Sequence, residues 1–116
     1  MIMDMDSQLQ EKIEVLRGLE MQLENLLMQR QTVQIELNES LNALEEVKKT
    51  KDDVFKILSG VMIKLDKEKA IKELEEKKKI AEMKVNSFEK QEKLLSEKAE
   101  KLRKEITSSV DKNEKN

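Results

Sequence analysis

Val54-Phe-Lys-Ile-Leu-Ser-Gly-Val-Met-Ile-Lys-Leu65 is the stretch on which the reading of this chain turns. Two runs of β-prone residues flank Ser59-Gly60, a turn signal in which glycine supplies a positive φ. In a strand, successive side chains point to opposite faces. Val61, Ile63 and Leu65 therefore face one way, and Phe55 and Ile57 alternate with Val54, Lys56 and Leu58. Both faces of this ribbon are substantially apolar. A lone two-stranded hairpin is marginal in water, and its edges are unpaired. Val54, Phe55, Ile57, Leu58, Val61, Met62, Ile63 and Leu65 are thus expected to join strands of neighbouring subunits. Obligate assembly follows from this stretch alone.

Outward from the hairpin, the apolar period changes from that of a strand to that of a coiled coil. Ser7 with Gln10 has the spacing of a capping box, so the first helix is expected over 7–49. Alternating steps of four and three from Leu9 give Leu9, Ile13, Leu16, Glu20, Leu23, Leu27, Arg30, Gln34, Leu37, Leu41, Leu44 and Lys48. This is a heptad seam that falters at Arg30 and Gln34, where Leu26 and Val33 can substitute from the next row. Lys48, Lys49 and Lys51 then oppose the negative end of the helix dipole.

On the other side, Asp66 is placed to cap a second helix over 67–108. Its seam is Ile71, Leu74, Lys78, Ala81, Val85, Phe88, Glu92, Leu95, Ala99, Leu102 and Ile106. Glu-to-Lys pairs four apart cover the remaining face: Glu68–Lys72, Glu73–Lys77, Glu75–Lys79, Glu89–Lys93, Glu97–Lys101 and Glu100–Lys104. Residues 109–116 lose the seam and are expected to fray. Each helix of roughly 40 residues would span about 60 Å at about 1.5 Å per residue. Their similar length implies that they fold back on each other and bring the termini together. The expected fold is mainly α: a long antiparallel two-helix coiled coil with one central β-hairpin.

Composition agrees. Charged residues form 41% and aromatic residues 2% of the 116, with no proline and two glycines, which is too little bulk for a globular core and too few breakers for disorder. The net charge of −2 gives no basic excess for nucleic acid or an anionic membrane surface. With no cysteine and no histidine, disulfides, thiolate chemistry and the usual zinc ligands are excluded, and neither metal nor cofactor is expected. Met1-Ile-Met-Asp-Met-Asp6 is not a signal peptide, and no stretch could span a membrane; the lack of cysteine fits a reducing cytosol, and a cytoplasmic location is expected.

Helix, hairpin, helix with heptads in both arms resembles the plan of β-type prefoldin subunits. Gln22-Leu23, Gln29-x-Gln31-x-Val33-Gln34, Leu37-Asn38-Glu39 and Ala43-Leu44-Glu45-Glu46 resemble that family's first arm, and Lys67-Glu-Lys-Ala-Ile-Lys-Glu-Leu74 the start of its second. Val54 to Lys64 looks like its hairpin motif, with Phe55 where tyrosine is usual and Ser59 where glycine is customary. The resemblance implies a hexamer of two α and four β subunits with a double β-barrel body and protruding arms. It also implies ATP-independent capture of unfolded polypeptide near the arm tips and delivery to a group II chaperonin in the cytosol, as in the archaeal members.

On that reading Ile2, Met3, Met5, Leu9, Ile13, Leu102, Ile106 and Val110 are the candidate client contacts at the tips. The plainer role of Leu9, Ile13, Leu102 and Ile106 is to hold the coil shut. Ile2, Met3 and Met5 have no seam partner, and methionine suits promiscuous surfaces. Lys77-Lys-Lys79 lies among glutamates and reads as a solvated face, and Asp52-Asp53 as a turn rather than a carboxylate dyad. Few catalytic side chains are present, so no enzyme activity is expected. The competing class is a structural coiled-coil scaffold or tether without client-holding activity. The hairpin separates the two, because a plain scaffold has no need of it.

Overall fold

The computed structural model describes the backbone from residue 2 to residue 115 and the side chains from residue 7 to residue 112. Four elements follow in order: α1 (Ile2–Lys49), β1 (Val54–Leu58), β2 (Val61–Leu65) and α2 (Lys67–Lys115). The helices have 48 and 49 residues, so the expected equality of the arms holds. Both exceed their expected bounds. Ser7 lies inside α1 rather than at its cap, because residues 2–6 contain neither proline nor glycine to stop the helix. At the other end α2 continues through 109–115, where fraying was expected. The Ser109 hydroxyl donates to the Glu105 carbonyl at 3.0 Å, and Ser109 is half-buried at the next seam position.

The chain divides into two units, Met1–Gln29 with Phe88–Asn116, and Arg30–Ser87. In the first, the terminal unit, the helix segments run antiparallel: Lys12 pairs with Glu105 at 4.0 Å and Glu20 with Arg103 at 3.3 Å. Leu9, Ile13, Leu16, Leu19, Leu23 and Leu26 of α1 are half-buried, as are Phe88, Leu95, Leu102 and Ile106 of α2. Ala99 is fully buried, at 0% exposure.

The second, the hairpin unit, holds β1 and β2 and the helix segments beside them. Val33, Leu37, Ser40 and Leu44 are buried from α1, and Ala70, Ala81 and Val85 from α2. Lys48 pairs across the helices with Glu75 at 3.7 Å. Asp66 occupies the cap position of α2, its carbonyl accepting the Ala70 N–H at 2.9 Å. Lys67 reaches back to the end of α1, its Nζ donating to the carbonyls of Thr50 at 2.9 Å and Lys48 at 3.4 Å. Two carbonyls left over at the end of α1 are thus satisfied by the first residue of α2.

The α2 seam follows the expected positions throughout. The α1 seam does not. Leu9, Ile13, Leu16, Leu23, Arg30, Leu37 and Leu44 stand as expected, but beyond Leu16 the alternate members are Leu19, Leu26, Val33, Ser40 and Val47. Glu20, Leu27, Leu41 and Lys48 are exposed and Gln34 is displaced to the flank, so from Leu16 onward the steps run three then four rather than four then three. The expected ion pairs along α2 also change partners. Glu73 turns to Lys56 and Glu75 to Lys48, each a facing cation outside α2, whereas Glu100 pairs within α2 with Arg103, three residues on.

Candidate assembly and client-binding sites

β1 and β2 pair antiparallel with Val54 opposite Leu65, Phe55 opposite Lys64, Lys56 opposite Ile63, Ile57 opposite Met62 and Leu58 opposite Val61. The loop between them is Ser59-Gly60, at φ 49° and 79°. Positive φ at both central residues is the type I′ geometry whose twist matches that of paired strands. The shift of the customary glycine by one place therefore puts a serine, not a glycine, in the first left-handed position.

Opposed residues share a face. One face carries Val54, Lys56, Leu58, Val61, Ile63 and Leu65. Its root is covered by the chain itself: Val54, Lys56 and Leu65 are half-buried, and Lys56 Nζ bonds to Glu73 of α2 at 3.1 Å. The other face carries Phe55, Ile57 and Met62 and is open, with Ile57 71% and Met62 65% exposed. Leu58, Val61 and Ile63 are exposed as well. Two five-residue strands thus present six exposed apolar side chains and two bare backbone edges.

At the tips the expected residues divide. Leu9, Ile13, Leu102 and Ile106 are half-buried seam members of the terminal unit. Val110 stands off the seam at 38% exposure. Ile2, Met3 and Met5 lie outside the residues whose side chains are described. Sequence reasoning missed other exposed apolar side chains: Val15, Met21 and Met28 on α1 of the terminal unit, Leu94 on its α2, and Ile35, Ile80 and Met83 in the hairpin unit. A search for apolar residues outside the seam would have found them. In the linker, Asp53 pairs with Lys64 at 3.6 Å and the Asp52 N–H donates to the Thr50 hydroxyl at 3.1 Å, which is the turn role expected of this pair. Among the described residues no helix is long and apolar enough to cross a membrane.

Comparison with known proteins agrees with this geometry. The family described as Prefoldin subunit matches residues 10–113. Prefoldin subunit beta of Thermococcus onnurineus is 37% identical over 105 residues, covering 89% of this chain and 90% of that protein. That of Pyrococcus furiosus is 35% identical over the same length. The crystal structure of the prefoldin beta subunit from Thermococcus strain KS-1 superposes with a TM-score of 0.82 at 36% identity, covering 88% of this chain and 91% of that one. A hairpin too apolar to stand alone, set between two helices of matched length, is the shared plan, and the chain belongs to the prefoldin family as a β-type subunit.

Proposed function

We propose that this chain works as the β subunit of a hetero-oligomeric chaperone that holds unfolded polypeptide without ATP and passes it to a group II chaperonin. The observation that carries this reading is the open hairpin, Phe55 to Ile63, whose apolar side chains are exposed on both faces. Transferring such surface out of water contributes about 25 cal/mol per Å². Six side chains of this size therefore favour association strongly enough to make the isolated subunit the unusual state. Completing an intersubunit β-barrel, with two α and four β subunits, covers the faces and pairs the edges in one step. Client is then held at the ends of the terminal units, where Ile2, Met3, Met5 and Val110 add apolar surface beyond the seam members Leu9, Ile13, Leu102 and Ile106. The setting is cytosolic.

The test is to purify the chain with and without an α-type prefoldin subunit, determine native mass, and follow aggregation of a chemically denatured protein without nucleotide. A defined hetero-oligomer that suppresses aggregation supports the proposal. An assembled complex that leaves aggregation unchanged would reduce the chain to a scaffold.

A further inference from the structure

Within the hairpin unit a groove runs between α1 and α2, enclosing about 460 Å³. Its floor is made by small side chains, Ser40 and Ala43 on α1 and Ala81 on α2. A coil that closes at such positions fills them with larger residues; here a notch stays open, and Ile80 on its wall remains 48% exposed. The rims differ in sign: Glu36 and Glu39 stand on α1, Lys77 and Lys84 on α2. Lys48 and Glu75 close an ion pair across the same two helices. Nine residues back along α1 and nine on along α2, Glu39 and Lys84 stand at one level of the coil, half a turn round from that pair, and both line the groove. Yet none of the four rim charges takes part in an ion pair among the described residues.

The groove therefore offers an apolar floor between one acidic and one basic edge. We propose that it docks a single amphipathic helical segment of an incompletely folded polypeptide. The segment's apolar face sits over Ala43 and Ala81, with Lys or Arg toward Glu36 and Glu39 and Asp or Glu toward Lys77 and Lys84. This rests on the client-holding reading above and adds a site apart from the tip residues. The volume falls within the range of about 300–1,000 Å³ typical of ligand pockets. A helix fits better than an extended segment, whose peptide groups would lie unpaired in an apolar trough. A third helix satisfies its own backbone and packs on the two walls by ridges and grooves. The opposite edges also give docking a direction. Turning a helix end for end exchanges its edges, so a split-charge helix binds one way round only. A helix with two like-charged edges meets a repulsive rim in either direction.

Three fluorescent helical peptides with one apolar face test this: one with a basic and an acidic edge, one with both edges basic, one with both acidic. Titrated against the 116-residue chain, the split-edge peptide binds tightest, by about three- to tenfold, the scale of a few half-exposed ion pairs. Salt shrinks that advantage. Ile80→Asp, and Ser40→Leu as a notch-filling variant that keeps the coil apolar, each weaken its binding by about tenfold or more, as loss of an anchor does. Circular dichroism confirms that both variants stay helical. The fourfold exchange Glu36→Lys, Glu39→Lys, Lys77→Glu and Lys84→Glu inverts both rims, keeps the affinity and reverses the peptide. The chain has no cysteine, so Glu76→Cys provides a single dye site for reading that reversal by energy transfer. Equal binding of the three peptides by a chain that suppresses aggregation overturns the groove alone, whereas a parent chain with no holding activity overturns the reading beneath it. A dimer of the chain that Ile80→Asp dissolves, without peptide binding, assigns the groove to a second copy and overturns the proposal.

Discussion

Ser59 is the residue at which this hairpin departs from what its backbone favours. At φ 49° it holds a left-handed conformation that costs an L-residue about 1–2 kcal/mol, and Gly60 beside it at 79° escapes that cost. Part of the relief in Ser59→Gly is offset by the extra freedom glycine has when unfolded. A net gain of about 0.5–1 kcal/mol is expected, raising the melting temperature by a few degrees, whereas Gly60→Val lowers it. Thermal unfolding followed by circular dichroism reads both signs; a Ser59→Gly variant that melts lower would refute the type I′ turn. Gly18 is the opposite case. It lies mid-helix with negative φ, and a Cβ added there meets nothing within 4 Å. Gly18→Ala should stabilise by about 0.5–1 kcal/mol through helix propensity alone.

At the scale of the element, α1 shows how a seam can be half legible. Leu9, Leu16, Leu23, Leu37 and Leu44 mark every seventh residue, and any stepping rule finds them. Between them the partner helix chooses among adjacent candidates: Leu19 or Glu20, Leu26 or Leu27, Val33 or Gln34, Ser40 or Leu41, Val47 or Lys48. Steps of three before four take the more apolar residue at 19, 33 and 47, whereas between Leu9 and Leu16 they would take Lys12 over Ile13, so testing both rules reads a change of phase at Leu16. Ser40 against Leu41 points the wrong way, and Leu26 against Leu27 is a tie. Burial settles the tie, with Leu26 half-buried and Leu27 exposed at 40%. Leu26→Ala should cost about 2 kcal/mol or more and Leu27→Ala under about 1 kcal/mol in thermal melts. Equal costs would restore the other phase. In α2 the doublets Ile80-Ala81 and Leu94-Leu95 also fall at seam steps, but Ala81 and Leu95 turn inward as expected while Ile80 and Leu94 stay exposed, and the expected seam and the structure coincide. Ala99, with no exposed surface, leaves no room for growth, and Ala99→Phe should cost about 1–3 kcal/mol. The hairpin was legible in both strands and turn, because branched residues and Ser59-Gly60 agree with one another. The groove was not, since it depends on which small residues the true phase brings inward.

For the whole molecule, assembly and client holding make separate demands. Ile57→Asp places a charge on the open face of the hairpin, where burial between subunits is costly unless the charge is paired. The oligomer should dissolve while helicity survives, as native mass and circular dichroism would register; unchanged mass removes the hairpin from the interface. Tip capture calls for substitution rather than truncation, because α1 begins at Ile2 and deleting residues 1–6 would shorten a helix. The combined variant Ile2→Ser, Met3→Ser, Met5→Ser and Val110→Ser should leave native mass with α unchanged and reduce suppression of aggregation. The loss should be graded with the number of sites changed, since weak contacts on several arms add by multivalency. Salt should spare the parent's activity, hydrophobic capture being unscreened. Full activity in the quadruple variant moves the client elsewhere along the arms.

The clip from Lys67 to Thr50 joins residues 17 apart, whereas the bridge from Arg103 to Glu20 joins residues 83 apart. Closing the longer loop from an open chain costs about 1.4 kcal/mol more in entropy, which favours closing the hairpin unit ahead of the ends by about tenfold. On the ribosome this has a consequence. Leu9, Leu16 and Leu23 emerge early and stay without their partner strand of helix until the second half of the chain has been made. During its own synthesis this chain thus displays the kind of apolar surface that its assembled form is proposed to hold. Amide exchange should preserve the record, with the turns near Thr50 and Lys67 exchanging last and those near Leu9 and Ile106 first.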